Sequence, residues 1–598
     1  MGGIISQIRL SVEAFLAITQ AYRKLSKKIE QTPGIPVDRP STPYWAIPPS
    51  PIAHYNAGRK IPEYADVVIL GSGITGTSVA RELFEGYETA HAEVPLQVVM
   101  LEARDVCSGA TARNGGHITP ILYAEYGELK KKFGKEMAQK IIRFRLAHLD
   151  ELIQVAREEN LLEDSQARVV QTFDVFFDKT FFEDSKECLK VYLDDFPEEK
   201  NKWDVLEDAQ AIESLQLSER VQGVISTRAG AIHPYRFVTG ILSRLVKSAN
   251  FKLFTHTPCT SIETVQSSST ILYAVETPRG TIQTPHVVHA TNAWASHLLQ
   301  PMRGKIVPAR GNMTAQRPGQ GLGSATPSAD SKATSWLGTR SFVFYPGSSD
   351  SRFDYLTQQP PAPPTTSSPY PPPAAEFMFG GGFIQGGFAE RAFFEEFANP
   401  DDSDWNLGVS AYLSGALSVY FGKWWGQEGT SSSTNRSSEL IAEGRVMKSW
   451  GGIIGASADR LPWVGRVPSE ASGRDSVTSR CVQRKERQHG PSYSEALLDQ
   501  ERENLISKVP IALAPAGEWI AAGFTGEGMV HAWLSGKALA WMMLDKDDRT
   551  LWQGHRCSSH SRTVNEVKGA GHPPLSDWLP DNFRISVKRW RKANIADV

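Results

Sequence analysis

The sequence predicts an α/β fold with a parallel-sheet domain of Rossmann type. Three observations carry this expectation. Residues 65–83, ADVVILGSGITGTSVAREL, run from a short apolar strand through Gly71, Gly73 and Gly76 into a helix. Residues 96–102, LQVVMLE, supply a second apolar strand closed by an acid, Glu102. Residues 518–543, EWIAAGFTGEGMVHAWLSGKALAWMM, repeat the order of strand, glycine turn and helix more than 400 positions later. Short continuous apolar runs of this kind suit strands buried on both faces, as parallel strands are.

In chain order, MGGIIS matches the pattern for myristoylation of Gly2. The helical stretch behind it carries Ile4, Ile5, Ile8, Val12, Phe15, Leu16 and Leu25, with Arg23, Lys24, Lys27 and Lys28 late in it. A fatty chain plus a basic amphipathic helix makes a two-signal peripheral membrane anchor. A helix packed on the protein's own surface is the commoner outcome for so short a motif. No secretory signal pattern is present, so a cytoplasmic location is expected, with membrane association through this segment as the second reading. Residues 32–51, TPGIPVDRPSTPYWAIPPSP, read as an extended proline-rich linker. The strand–helix–strand unit follows, then a charged helical stretch over 125–160, an alternating strand in VVQTFDVFFD, and a strand-to-helix passage with Pro234 near the helix start. HVVHATNAW is a buried strand ending in polar and aromatic residues. The stretches 357–377, 429–439 and 469–506 are polar or proline-rich and read as surface inserts.

The domain layout expected from this pass is discontinuous. Residues 1–60 form the N-terminal helix and linker. Segments 61–125, 226–300 and 451–545 build the glycine-turn domain, with the insert 469–506. Segments 126–225 and 301–450 build the second domain, and 546–598 form a C-terminal extension.

Composition narrows the function classes. Apolar content of 40%, charged content of 22% and a net charge of −2 describe an ordinary globular chain. Without a basic excess, nucleic acid is not an expected partner. The five cysteines (107, 188, 259, 481 and 557) contain no CxxC pair, which gives neither a disulfide framework nor a zinc site. No metal is expected.

In the run Gly71, Ser72, Gly73, Ile74, Thr75, Gly76, the first glycine permits the turn, the second lets backbone approach a pyrophosphate, and the third lets helix and strand close together. Glu102, 31 positions after Gly71, is the acid expected on ribose hydroxyls, the usual spacing of about 20 being stretched by a longer loop. The reading is dinucleotide binding. A nicotinamide dehydrogenase satisfies this motif alone. It leaves unexplained the loop ARDVCSGATARNGGHITP directly after Glu102 and the late glycine turn. That loop, with Ala103, Arg104, Ser108 and Gly115 among its cofactor candidates, suits a flat polar ring, which favours a flavin.

Nine segments in order, PSTPYW, VVILGSGITG, SGATARNGGHI, GAIHPYRF, ATNAW, VPARGNM, FMFGGG, WGGIIGASADRLPWVGRVP and GFTGEGMVHAW, together resemble the D-amino-acid-oxidase-like family of FAD-dependent oxidoreductases. The likeness is to the branch with gamma-glutamylputrescine oxidase and sarcosine oxidase, and to its fungal-type members. It covers most of residues 40–545 and implies a Rossmann-like FAD-binding domain interleaved with an antiparallel-sheet substrate domain. It implies an FAD cofactor and oxidation of a C–N bond in a small amine or amino-acid-like substrate by hydride transfer to flavin, with O2 the expected acceptor. It also implies roles: Gly71, Gly73 and Gly76 at the pyrophosphate, Glu102 at the ribose, and Thr111, Arg113, Asn114 and Gly116 beside the isoalloxazine. Cys259 falls at the adenine, Ala290 and Thr291 beneath the cofactor, and Gly526, Gly528 and Met529 at the pyrimidine edge. Family members with a tethered flavin use a cysteine where Gly452 stands here, or a histidine where Asn114 stands, so the FAD is expected to be non-covalent. Val530 replaces a lysine that sarcosine oxidase uses for its substrate carboxylate, which counts against a simple N-methyl amino acid.

Glu527 is the first catalytic candidate, because a carboxylate at the flavin face would hold a cationic amine; an exposed acid near a helix start is the plain alternative. His117 is the second, as a group that titrates near neutrality or a buried structural histidine. His531, Arg310, Trp450 and Trp463 read as structural. Three other readings remain at this level: a flavin dehydrogenase passing electrons to a quinone or protein carrier, an NAD-dependent dehydrogenase, and a non-catalytic relative. Nothing in the sequence speaks to oligomeric state.

Overall fold

The computed structural model describes residues 2–88, 95–266, 271–322, 336–361, 370–385, 391–427, 441–474, 513–547 and 573–595. The strands, in chain order, are β1 (Val67–Leu70), β2 (Val98–Leu101), β3 (His117–Ile118), β4 (Arg168–Phe176), β5 (Asp204–Leu206), β6 (Gly223–Ala231), β7 (Phe251–Phe254), β8 (Ser261–Gln266), β9 (Ile271–Thr277), β10 (Gly280–Thr284), β11 (His286–His289), β12 (Ile306–Gln316), β13 (Arg340–Tyr345), β14 (Asp354–Gln358), β15 (Phe377–Gly381), β16 (Val446–Ser457), β17 (Trp463–Arg466) and β18 (Gly517–Ala522).

Six of them form one sheet in the order β17-β18-β11-β1-β2-β7. All its pairs are parallel except β17 with β18. The reason lies in the sequence: VVIL and VVML are apolar at every position, and all eight residues are buried. Burial of each such side chain contributes about 1.5–3 kcal/mol. The chain runs from β1 to β2 on one side, and β11 returns on the other side of β1. Such a reversal opens a crevice at the carboxyl ends of the strands, where ligands of open α/β sheets bind. The helices Ile74–Glu88 and Ala532–Met543 pack against each other here: Ser78 Oγ donates to Trp533 O at 2.7 Å, and a Cβ on Gly536 would stand 2.8 Å from Ser78 Cβ.

The second sheet has the order β16-β12-β15-β14-β13-β4-β6-β3, with β5 joined to β6. It is antiparallel apart from the parallel pair β4 and β13. The helix Leu407–Phe421 lays Val409, Leu413, Leu417 and Phe421 against Phe342, Phe344, Phe377 and Phe379. The four positions recur every four residues and so share one helix face. Strands β8, β9 and β10 form a separate small antiparallel sheet.

The strand bookkeeping departs from the layout expected of the sequence. Strand β3, most of β6 and the second half of β16 sit in the second sheet, although the sequence pattern groups residues 61–125, 226–300 and 451–545 with the glycine turns. Long-range pairing decides this: His117 and Ile118 pair with Ala231 and Gly230, a partnership invisible to local pattern. The proline-rich stretch is also not a free linker. Tyr44 and Trp45 are buried, Ser41 N donates to Asp402 O at 2.7 Å, and Trp45 Nε1 donates to Asn114 O at 2.6 Å. Residues 573–595 pack likewise, with Leu575, Leu579 and Phe583 fully buried and Arg589 at 3.8 Å over the Trp463 ring. The inserts 429–439 and 475–506, residues 362–369 of the insert 357–377, Cys481 and Cys557 lie outside the described residues.

The N-terminal helix, Gly2–Glu30, leaves Val12, Phe15, Leu16 and Tyr22 exposed. Among the described residues no helix is long and apolar enough to cross a membrane.

Candidate active site

Among the described residues, one cavity runs between the two sheets along the carboxyl edge of the first. Its wall takes Gly71, Gly73, Ile74 and Thr75 from the first glycine turn, and Glu102, Ala103 and Arg104 from the end of β2. Thr111, Arg113 and Asn114 come from the following loop, Cys259 from the loop after β7, and Ala290 and Thr291 from the end of β11. The second glycine turn adds Gly526, Gly528 and Met529. Thus most of the residues singled out in the sequence meet at one cavity, although more than 450 positions separate the two turns. Ser72, Gly76, Ser108, Gly115 and Gly116 stand behind the wall. His117 and Glu527 are not part of it either.

The first turn is built for close approach. Gly71 has φ +101°, a region that L side chains avoid, and a Cβ there would stand 2.8 Å from Ala290 O. A Cβ on Gly76 would stand 2.1 Å from Gly71 O, so only glycine lets the helix come down onto the turn. Glu102 closes the turn from below: Oε2 accepts from Ser72 N at 3.1 Å and Ser72 Oγ at 2.6 Å, and Oε1 accepts from Arg104 N at 3.1 Å. An ionised carboxylate has about four acceptor positions, so Glu102 can hold the turn and still accept a bond from the cavity. Thr111 Oγ1 accepts from Ile74 N at 3.0 Å, tying the second loop to the start of the helix.

Arg113 works as a clamp. Its guanidinium donates to Ser108 O at 2.7 Å, Gly451 O at 2.7 Å and Ser41 O at 2.7 Å, with Asp402 3.3 Å away. Burial lowers its pKa to about 10, against the pull of Asp402. Arg104 pairs with the same Asp402 at 2.8 and 3.1 Å. Asn114 folds back on its own loop, donating to Thr111 O at 3.0 Å and accepting from Gly116 N at 2.7 Å. Sequence reading missed Ser41 and Asp402 as supports, although PSTPYW had marked the first region.

The two catalytic candidates have contrasting settings. His117 bonds Ser341 Oγ at 2.9 Å and lies against Tyr355, a wall residue, with ring centroids 6.4 Å apart. Burial lowers its pKa to about 3, so it is neutral near pH 7 rather than titrating there. Glu527 stands between Gly526 and Gly528, its Oε2 3.5 Å from Arg145 Nε and its side chain 19% exposed. Burial raises its pKa to about 7; Arg145 opposes the rise and Glu125 adds to it. Arg145 also bonds Glu125 at 2.9 Å, Ile121 O at 2.8 Å and His531 Nε2 at 3.2 Å. Arg310 does not face the cavity: it forms a two-bond pair with fully buried Glu396 at 2.6 and 2.9 Å. Trp450 and Trp463 are core residues, the first donating to Arg113 O at 3.0 Å.

Strand β12 and its neighbours contribute wall residues that local pattern had not named, among them Asn312, Met313, Trp294 and Tyr355. The signal for Trp294, Asn312 and Met313 lay in ATNAW and VPARGNM, recognised as motifs without a role, whereas no motif marked Tyr355.

These residues fit a dinucleotide with a flat ring. Asn312, Thr291 and Trp294 line the cavity, and their buried Nδ2, Oγ1 and Nε1 atoms have no hydrogen-bond partner within the protein. Buried donors without partners are costly, and a polar ligand in the cavity satisfies them. Cβ atoms on Gly526 or Gly528 would meet nothing within 4 Å, so that end stands open to a ring.

The fold and cavity define a flavin-binding α/β protein with a covering mixed sheet. The FAD dependent oxidoreductase profile, DAO, matches residues 66–542, and the chain belongs to this family of FAD-dependent enzymes. It is 26% identical over 243 residues to gamma-glutamylputrescine oxidoreductase of Escherichia coli, covering 40% of this chain and 52% of that protein. It is 24% identical over 261 residues to a Haemophilus influenzae protein named "Probable oxidoreductase OrdL", covering 43% of this chain and 56% of that one. The chain thus spans about half the length of the curated relatives it matches. The crystal structure of glycine oxidase from Geobacillus kaustophilus superposes with a TM-score of 0.50 at 15% identity, covering 81% of this chain and 94% of that one, and shares the fold.

Proposed function

We propose that the protein oxidises the C–N bond of a small amine or amino-acid-like substrate, with O2 as electron acceptor and FAD held without a covalent bond. The observation that carries this reading is the convergence of both glycine turns on one cavity with partnerless donors. FAD, when bound, supplies the two-electron acceptor for a hydride leaving the carbon that bears the amine.

The chain's own residues supply the rest. The turn Gly71–Ser72–Gly73–Ile74–Thr75–Gly76 takes the pyrophosphate, and Glu102, already oriented by Ser72 and Arg104, takes the ribose. Cys259 lies at the adenine end, and Ala290 and Thr291 lie beneath the cofactor. The loop through Ser108, Thr111, Arg113, Asn114, Gly115 and Gly116 sits beside the ring, with Gly526, Gly528 and Met529 at its other edge. Gly452 and Asn114 offer no side chain that tethers a flavin. Glu527 stands behind the wall between Gly526 and Gly528; once ionised, its charge favours a cationic amine in the cavity, and protonated it does not. His117 stays neutral and supports the Tyr355 wall.

A flavin dehydrogenase is the second reading, and the exposed Val12, Phe15, Leu16 and Tyr22 of the N-terminal helix favour it. An apolar face above a basic end, Lys27 and Lys28, suits contact with an anionic lipid surface near a quinone pool. The test is an absorbance spectrum of purified protein followed by anaerobic bleaching across a panel of amines and amino acids. Peroxide equal to substrate consumed in air supports the oxidase. Bleaching without peroxide, reversed by a quinone analogue, replaces it with the dehydrogenase. Protein that neither carries nor takes up FAD overturns both.

A further inference from the structure

Away from the cavity, His54, Asp105 and His256 bring three potential ligand atoms together. His54 Nδ1 lies 3.0 Å from Asp105 Oδ1 and 3.2 Å from His256 Nε2, and His256 Nε2 lies 2.7 Å from the same Oδ1. Among the described residues this is the only group of three or more such side chains close enough to share an ion. None of the three lines the cavity. From these residues we propose a second binding site, for a divalent transition metal of the Zn2+ class.

The three donor atoms leave room for one ion at a common point, with the stacked His54 and His256 rings, 5.4 Å apart and 22° from parallel, turning to aim their lone pairs at it. Imidazole and carboxylate ligands bind Zn2+ at roughly 2.0–2.1 Å. A point at roughly that distance from all three atoms exists about 1 Å off the plane they define, because the circle through three atoms with edges of 3.0, 3.2 and 2.7 Å has a radius smaller than one such bond. Two imidazoles and one carboxylate form a donor set for Zn2+, Cu2+, Ni2+ or Fe2+ rather than for Ca2+ or Mg2+, which prefer all-oxygen shells. His54 and His256 keep 66% and 47% of their side-chain surface exposed, and Asp105 keeps 40%. Water therefore completes the coordination, and the ion enters directly from solvent.

The backbone holds the donors in place independently of any ion. Val106 N donates to Ala53 O at 3.0 Å, Thr255 N to Tyr55 O at 3.2 Å, and His256 N to Arg104 O at 3.2 Å. Asn56 Nδ2 adds a bond to Leu253 O at 3.1 Å. Parallel pairing of β2 with β7 is what sets the loops carrying Asp105 and His256 side by side. His256 itself has φ +51°, a conformation that costs a non-glycine residue energy and is found where the surroundings enforce a functional arrangement. The ligands come from positions 54, 105 and 256, so no spacing motif announces them.

The test uses tag-free, full-length holoprotein stripped with chelator. Calorimetric titration with Zn2+ is expected to give one saturable site per chain, and Co2+ is expected to add weak visible bands of a mixed nitrogen and oxygen site. His54→Ala and His256→Ala are each expected to weaken Zn2+ binding at least tenfold, and Asp105→Asn similarly. Retained flavin absorbance establishes that each variant is folded. Absence of saturable binding in the wild type overturns the proposal. So does binding that persists unchanged in both histidine variants, because the ion is then held elsewhere.

Discussion

Glu527 offers a direct test of the electrostatics around the second glycine turn. The perturbation is Glu527→Gln, which keeps the shape and removes the ionisation. The carboxyl is raised from 4.5 to about 7, chiefly by burial, with Arg145, Glu125 and His531 the charged or titratable groups around it. A shift of about 2.5 units at 1.36 kcal/mol per unit corresponds to about 3 kcal/mol. The sign follows from linkage. Because the folded value lies above the unfolded one, the folded state holds the proton more tightly. The native state is therefore favoured below about pH 4.5, and this advantage is lost as pH rises through about 7. The glutamine variant carries no such dependence, and Arg145 keeps its bond to Glu125 at 2.9 Å. Urea unfolding of both proteins at pH 5 and pH 8.5 should show the variant gaining on the wild type by about 2–3 kcal/mol at the higher pH. A difference between the two that stays constant across this range refutes the reasoning.

Further expectations concern the cofactor, the substrate and the scaffold. Gly76→Ala drives a Cβ to 2.1 Å from Gly71 O; a loss of about 1–3 kcal/mol of stability is expected, with weaker flavin retention read from absorbance ratios. Glu527→Gln should lower kcat/KM for a cationic substrate by about ten- to a hundredfold, as loss of an opposite charge several ångströms away does, and flatten the rise in rate through about pH 7. Arg310→Leu strands fully buried Glu396 and should cost about 3–5 kcal/mol, much of it recovered in the double variant Arg310→Leu/Glu396→Leu, as thermal unfolding would show. Acid precipitation should leave all yellow colour in the supernatant, because neither Gly452 nor Asn114 offers a covalent partner; a coloured pellet counts against this.

Where the sequence was readable, the reason is local. A strand of four apolar residues, three glycines at fixed spacing and a following helix are specified within about fifteen positions, and both turns meet the cavity. What could not be read depends on distant partners. That Arg113 bonds Ser41 and Gly451, that Arg104 shares Asp402 with it, and that β3 pairs with β6 are consequences of tertiary placement. His117 shows the same limit from another side. An unburied histidine titrates near neutrality, and only its enclosure beside Ser341 and Tyr355 removes that capacity. The proline-rich stretch misled because composition reports stiffness but not whether Tyr44 and Trp45 find a pocket.

The wall of the cavity draws on residues from Gly34 to Ala532. A ribosome must therefore release the chain as far as Ala532 before the last side of the cofactor's berth exists. Nascent chains arrested short of the second turn have no means of gripping the flavin fully, and they expose the apolar crevice to chaperones and proteases instead. Cellular flavin supply then acts on finished molecules, as a late checkpoint on yield and not as a guide for early folding.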